Sequence, residues 1–273
     1  ARQLVEGLGP AAEPGACKLL VAFIDPIGTR PDLVLEGVAA RLGEGPCIVG
    51  GGANPSLSAD RPAPVVFFEA EAATDAVVAL ALCGAVRAET ATVTSWRPIG
   101  KRGVITHAEG DRIFHIDGRP ALEFYRRNLG ADVQTFIGAP LAIVESEKSL
   151  NIRAAIDFDE QAGSVRVGGL IANGDVVQLS YAGFDEILEG AGALAQAVED
   201  ARADAPALVL YCSCVVRKMF LALDVGAELE RLRAPFGEGA AVAGYYAYGE
   251  ISATAGAAAP KFRNQAIVAL TLS

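Results

Sequence analysis

The chain has no run of about eighteen apolar residues free of charge or Gly/Pro punctuation, so no segment reads as a membrane-spanning helix. It is poor in positive charge: 23 Lys and Arg stand against 33 Asp and Glu, a formal net charge of −10. That sign repels a phosphate backbone, and the short clusters Arg126-Arg127 and Arg217-Lys218 do not offset it, so neither nucleic acid nor membrane is an expected partner. No basic leader with an apolar core and a small-residue cleavage site follows Ala1. Cys-x-x-Cys is absent. The five cysteines, odd in number and mostly set in apolar runs, read as small buried residues of a reducing compartment, and the cytoplasm is the expected location. There is no P-loop, no Gly-x-Ser-x-Gly elbow, no His-Glu-x-x-His and no dinucleotide fingerprint, so catalysis is not the expectation.

What is present is a 273-residue chain that is 52% hydrophobic and carries 30 glycines, enough for one large core or two lobes of similar build. Leu19 to Ile24 reads as a strand. Pro31 and Asp32 then open a helix whose apolar residues Leu33, Val34, Val38 and Leu42 recur at helical spacing. Cys47-Ile48-Val49 reads as a short buried strand capped by Gly50-Gly51-Gly52, and Val65 to Phe68 and Ala76 to Leu82 as further strands. The order recurs near the other end: strand at Ala207 to Tyr211, helix at Met219 to Leu232, strands at Ala241 to Tyr248 and Ile267 to Leu272. Val77 to Leu82 resembles Ile267 to Leu272, which suggests an internal duplication. Between the two units, two hairpins are expected: Val104 to Thr106 with Ile113 to Ile116, and Val165 to Leu170 with Val176 to Leu179 around Asn173-Gly174-Asp175. A helix follows each, from Pro120 through Leu129 and from Asp185 to Ala203. The fold class is mixed α/β: two similar modules, 1–139 and 140–273, with mixed sheets covered by helices and a boundary at the Gly138 to Pro140 break.

Gly50-Gly51-Gly52-Ala53-Asn54 offers backbone N–H groups to an anion, or else marks a tight turn or a close backbone crossing. Cys212 and Cys214 lie two apart on a strand and so face one side, either as packing or as a reactive thiol whose pKa the nearby Arg217 would lower. His107 and His115 flank a turn and are either strand-face residues or ligands of a metal or haem iron. Ala241 to Glu250 concentrates three tyrosines, a glycine and a carboxylate. Strand alternation predicts Tyr246, Tyr248 and Glu250 on one face, either an aromatic wall for an amino-bearing ligand or a buried tyrosine layer.

Taken in order, several stretches resemble the FIST family over nearly the whole chain. Those similar to its N-terminal module are Cys47 to Asn54, Trp96-Arg97-Pro98-Ile99-Gly100, Val104-Ile105-Thr106, and Asp117-Gly118-Arg119-Pro120-Ala121-Leu122 followed by Tyr125. Those similar to its C-terminal module are Ile152-Arg153, Asn173-Gly174, Cys212-Ser213-Cys214 with Arg217, Gly244 to Ile251, and Asn264. The family's first module normally begins well before the position matching Cys17, so the chain resembles an N-terminally shortened version. The resemblance implies an intracellular sensory domain for an amino acid or related metabolite, signalling through a histidine kinase, a cyclic-dinucleotide enzyme or a chemotaxis receptor, with no required cofactor. It implies a ligand set of Gly51, Gly52, Asn54, Trp96, Arg97, Arg153, Cys212, Cys214, Arg217, Tyr246, Tyr248, Glu250 and Asn264. In this reading Arg153 or Arg217 meets an acidic group, Glu250 an amine, and Tyr246, Tyr248 and Trp96 the apolar body. Two alternatives stand beside it: a haem-binding nitric-oxide sensor using His107 or His115, and a thiol-dependent enzyme using Cys212 or Cys214.

Overall fold

The computed structural model describes residues 1–13, 15–43, 45–54, 63–130, 138–146, 149–201, 206–236, 240–253 and 260–273. A short helix α1 (Arg2–Gly7) precedes strand β1 (Cys17–Ile24), helix α2 (Pro31–Leu42) and strand β2 (Cys47–Gly52). Pro31 opens α2, where its missing N–H costs nothing. Leu35, Val38 and Leu42, three or four residues apart, bury one helix face against Leu20, Ala22, Ile24 and Ile48 of the sheet. The glycines that were expected to cap β2 instead form its second half, fully buried. A small hairpin of β3 (Val66–Phe68) and β4 (Glu71–Ala73) leads to β5 (Val77–Cys83) and β6 (Ala88–Thr94).

The middle of the chain builds an eight-stranded sheet from β7 (Arg97–Glu109), β8 (Arg112–Ile116), β9 (Arg119–Pro120), β10 (Leu141–Ser146), β11 (Ser149–Arg153), β12 (Ala155–Asp159), β13 (Ser164–Val167) and β14 (Val176–Tyr181). Helix α3 (Ala121–Leu129) lays Leu122 and Tyr125 on it, in a core with Ile105, Ile113, Val165 and Leu179. The first expected hairpin forms, with His107 opposite His115. The second does not: β13 pairs with β8 and β12, and β14 with β7 and β10. The long strand β7 serves both, its first part pairing with β14 and its last with β8, so β13 and β14 lie on opposite sides of the β7–β8 pair. The break at Gly138 to Pro140 falls between α3 and β10, and this sheet draws strands from both sides of it.

Helix α4 (Phe184–Ala201) then leads to β15 (Leu208–Cys214), helices α5 (Val215–Leu221) and α6 (Val225–Arg233), and strands β16 (Ala241–Ala247), β17 (Glu250–Ser252), β18 (Lys261–Arg263) and β19 (Ala266–Leu272). The single helix expected at Met219 to Leu232 is broken at Ala222, which has a positive φ of 47°. The break has a purpose in packing. In a straight helix Arg217 and Glu228, eleven residues apart, would be separated by roughly 16 Å along the axis. Here their side chains meet at 2.8 Å.

The first and last units match in register. β1 pairs parallel with β2 and antiparallel with β5, as β15 does with β16 and β19. Leu19 faces Cys47 and Leu82, while Leu208 faces Ala241 and Leu272. The resemblance between the closing strands thus corresponds to one structural position. The units also exchange strands: β17, from the last unit, pairs with β2 of the first, and β6, from the first, pairs with β19 of the last.

Exchange requires close backbone approach, and β2 supplies it by lacking side chains. A Cβ on Gly51 would lie 2.6 Å from the Ala247 Cβ and 2.9 Å from the Cys212 Sγ, and one on Gly52 would lie 2.3 Å from the Tyr248 carbonyl oxygen. Overpacking of this kind costs about 1–3 kcal/mol or more. We expect Gly51→Val to lower the unfolding free energy measured by urea titration by at least that amount and to accelerate amide exchange in β17 before the rest of the sheet. Unchanged β17 protection would show that the crossing tolerates a side chain.

Candidate functional site

Gly51, Gly52, Asn54, Tyr246, Tyr248 and Glu250 gather where the two units cross. The Gly52 N–H donates to the Gly249 carbonyl at 2.8 Å, and the Tyr248 N–H donates to the Gly52 carbonyl at 2.9 Å. Beside this crossing, Asn54 sends its side-chain amide to the Tyr246 carbonyl at 3.0 Å. A cleft of about 270 Å³ opens here, lined by Phe23 of β1, Gly52, Ala53 and Asn54 at the end of β2, Val65, Val66 and Phe67 around β3, and Tyr245 and Tyr246 of β16. Phe23 and Tyr245 meet at 5.6 Å between ring centroids and form its aromatic floor. Gly52, Asn54 and Tyr246 were legible in the sequence. Phe23, Val66, Phe67 and Tyr245 were not, although Phe23 is an exposed aromatic on a strand that is buried from Leu19 to Ala22, and Phe67 and Phe68 are exposed in succession.

Tyr246, Tyr248 and Glu250 do not share a strand face. β16 ends at Ala247, and a turn at Gly249, with φ of 94°, carries Glu250 into the other sheet, opposite Gly51. Tyr246 points its hydroxyl to Glu228 at 2.6 Å, with the Lys218 ammonium 5.4 Å from its ring centroid. Glu250 is fully buried: its Oε2 accepts the Ala266 N–H at 2.9 Å, and its Oε1 makes no hydrogen bond among the described residues. Burial raises its pKa from the ordinary carboxylate value to about 8, against the opposing pull of the Ala266 N–H, the Cys214 thiol, Arg217 and the Gly249 N–H.

Both arginines expected to meet an acidic ligand are engaged within the chain. Arg217, with no exposed surface, donates from Nε and Nη2 to Glu228, from Nη1 to the Ser95 hydroxyl and from Nη2 to the Ile187 carbonyl. Arg153 donates to the carbonyls of Phe262 and Leu170 and pairs with Asp32 of α2 at 3.2 Å, joining the middle sheet to the first unit. Asn264 accepts the Ala154 N–H across the same junction and donates to the carbonyl of its neighbour Arg263. Trp96 is buried against Phe220, and Arg97 lies exposed at the start of β7. None of these five lines the cleft.

Cys212 and Cys214 are both buried, and burial, reinforced by the Glu250 carboxyl, pushes both thiols well above their ordinary pKa. Arg217, committed to Glu228, does not reverse this, so the arrangement disfavours a thiolate nucleophile. Cys212 stands opposite Tyr245 of the cleft wall in the β15–β16 pairing. His107 and His115 stack at 5.5 Å with ring planes 15° apart. His107 also stacks on Phe114 and sits 3.6 Å from Glu109, with nearly half its side chain exposed. An exposed, carboxylate-paired imidazole on a strand surface is not the apolar slot that a haem requires, and no group of three metal-ligating side chains occurs among the described residues.

Two expectations follow from the buried charges. Removing one partner of a buried ion pair leaves the other uncompensated at a cost of about 3–5 kcal/mol. Arg217→Met should therefore lower unfolding free energy by about that much, and adding Glu228→Gln should recover much of the loss; a single variant as stable as the parent in urea titration would contradict this. Glu250 holds its proton more tightly when folded than when unfolded. Its contribution is therefore fully present below about pH 4.5 and is lost as pH rises toward about 8. Glu250→Gln should flatten the fall in melting temperature across that window, and an unchanged pH profile would place the titration elsewhere.

Comparison with known proteins places these features in a family. Residues 1–119 match the FIST N domain and residues 121–253 the FIST C domain. An uncharacterized protein of Mycobacterium tuberculosis is 28% identical over 253 residues, covering 85% of this chain and 62% of the relative. An uncharacterized protein of Mycobacterium bovis is 29% identical over 212 residues, covering 70% of this chain and 52% of the relative. The chain thus spans between about half and two thirds of the length of these curated relatives. With both domains matched in order, the chain belongs to the FIST family, whose domains are sensory domains in signal transduction.

Proposed function

We propose that this chain is the sensory part of a signalling system, that it binds a small ligand in the cleft between the first and last units, and that it passes the signal to a separate protein. The observation that carries this reading is the cleft itself: about 270 Å³, walled by aromatic and aliphatic side chains and placed where strands of both units meet. Pockets at such junctions are common ligand sites, and this volume lies just below the range of drug-sized ligands.

The lining refines the ligand class. It contains no charged side chain; with the Tyr246 hydroxyl on Glu228, both backbone groups of Gly52 and the Ala53 N–H already bonded, and the Asn54 amide nitrogen on the Tyr246 carbonyl, the Asn54 side-chain oxygen and the Ala53 carbonyl are left as acceptors. Arg153, Arg217 and Glu250, which would have recognised a zwitterion, are buried in the scaffold. We therefore favour a small uncharged metabolite with a planar or branched apolar body and one hydrogen-bonding group over a free amino acid. Because the walls come from β1 and β2 on one side and β16 on the other, an occupant would contact both units, and a ligand preferring one arrangement would shift the population toward it.

The test is a thermal-shift screen of small metabolites followed by calorimetry. Hits that bind here should be lost in Ala53→Phe, which fills the cleft, and weakened about tenfold in Phe23→Ala, which removes its floor. Hits that bind both variants as tightly as the parent would remove the cleft from consideration.

A further inference from the structure

The register match between the two units reveals an unfilled position. In the first unit the outer edge of β2 is covered: β17 lies antiparallel against it, with Glu250 opposite Gly51, Ile251 opposite Gly50 and Ser252 opposite Val49. The equivalent strand is β16. Gly50 faces Ala22 on β1 as Gly244 faces Tyr211 on β15, and in each case the glycine packs tightly on the backbone of that neighbour. The positions covered by β17 therefore correspond to Ala243, Gly244 and Tyr245. Yet β16 stands at the edge of its sheet, with Ala243 and Gly244 exposed, and pairs only with β15 among the described residues.

An open strand edge is a template for another strand, and proteins usually protect it with lysine, proline or a bulge. Ala241 to Ala247 has no charged residue and no proline, and its pairing with β15 runs without a register shift. The edge is thus built for pairing. We propose that β16 is a docking edge for an extended segment of a partner protein, which adds as an antiparallel strand across Ala243-Gly244-Tyr245.

The covered edge indicates what the segment is like. Ile251, opposite the side-chain-free Gly50, is wholly buried, so the residue opposite Gly244 should be apolar and β-branched. The chain's net charge of −10 disfavours a second copy and favours a segment flanked by lysine or arginine. Main-chain hydrogen bonds supply affinity in this mode, and alternate side chains supply selectivity. This docking edge adds a partner to the sensing reading without depending on the cleft, with which it shares only Tyr245.

The test is selection of short random peptides displayed on phage against the whole chain. Enriched sequences should carry a β-branched core with basic flanks, protect the amides of residues 242–245 from hydrogen exchange, and bind Ala243→Lys at least about tenfold more weakly. Ala243 is exposed, so the lysine should leave the thermal melt unchanged; Ala243→Pro is the second variant and should also lose binding. Binding should persist in Ala53→Phe, which separates failure of the edge from failure of the cleft. The proposal is overturned if no peptide is enriched, if enriched peptides bind Ala243→Lys as well as the parent, or if the chain forms a concentration-dependent dimer that Ala243→Lys dissolves, which would make the edge a self-association site.

Discussion

Three consecutive residues without side chains set the architecture of the site. At Gly50 a Cβ would lie 1.8 Å from the Ala22 carbonyl oxygen, at Gly51 it would meet Ala247 and Cys212, and at Gly52 it would meet the backbone of Tyr248. These are contacts of β2 with its neighbouring strand and with the chain that crosses it from the last unit. Glycine is entropically costly in a strand, by roughly 0.5–1 kcal/mol each relative to alanine, so three in a buried strand must be offset by what they permit. They permit the last unit to pass over the end of β2, turn at Gly249, and deliver β17 to the open side of the first unit's sheet. The burial of Glu250, the contact between Cys212 and the first unit, and the cleft beside Asn54 all depend on that crossing.

On the opposite face of β15 and β16 the construction is polar. Arg217, Glu228, Ser95, the Ile187 carbonyl and the Tyr246 hydroxyl form one buried network that joins α5, α6, α4 and β16 to the residue following β6. Such a network contributes less net stability than its short distances suggest, because both charges lose hydration; what it provides is a single geometry. The kink at Ala222 belongs to it, since no straight helix would bring Arg217 to Glu228. Tyr246 connects this network to the cleft, while Tyr245, beside Cys212 of β15, meets Phe23 in the cleft wall. Adjacent residues of β16 therefore report to opposite sides of the sheet, as strand alternation requires.

Much of the local structure was legible because local structure is written in period and punctuation. Pro31 marked α2, Gly130 marked the end of α3, and apolar runs marked the buried strands of both units. Pairing was harder to read. Val165 to Leu170 and Val176 to Leu179 flank a good turn sequence, yet β7 pairs with β14 and β8 with β13, and nothing in the two segments themselves records that. The tyrosine segment misled for a similar reason: alternation holds only while a strand continues, and the turn after Ala247 ended it. Arg153 and Arg217 stood in the ligand set that the resemblance implies, where a planar guanidinium would hold an acidic group. Sequence does not reveal that Asp32 and Glu228 wait for them across more than one element.

The two units have the same register but differ in what occupies it. Where the first has Gly51 and Gly52, the last has Tyr245 and Tyr246, at the positions that follow Gly50 and Gly244. In the first unit, absent side chains admit another segment of the same chain. In the last, the tyrosine rings wall the cleft, and the backbone before them pairs only with β15 among the described residues. The two strand–helix–strand units are thus used in two ways, one to lock the halves together and the other to present aromatic surface and a strand that pairs only with β15 among the described residues. On the proposed reading this asymmetry separates the duties of a sensor: the glycine side provides a fixed reference, and the tyrosine side is where an occupant of the cleft would be felt by the strand available to a partner.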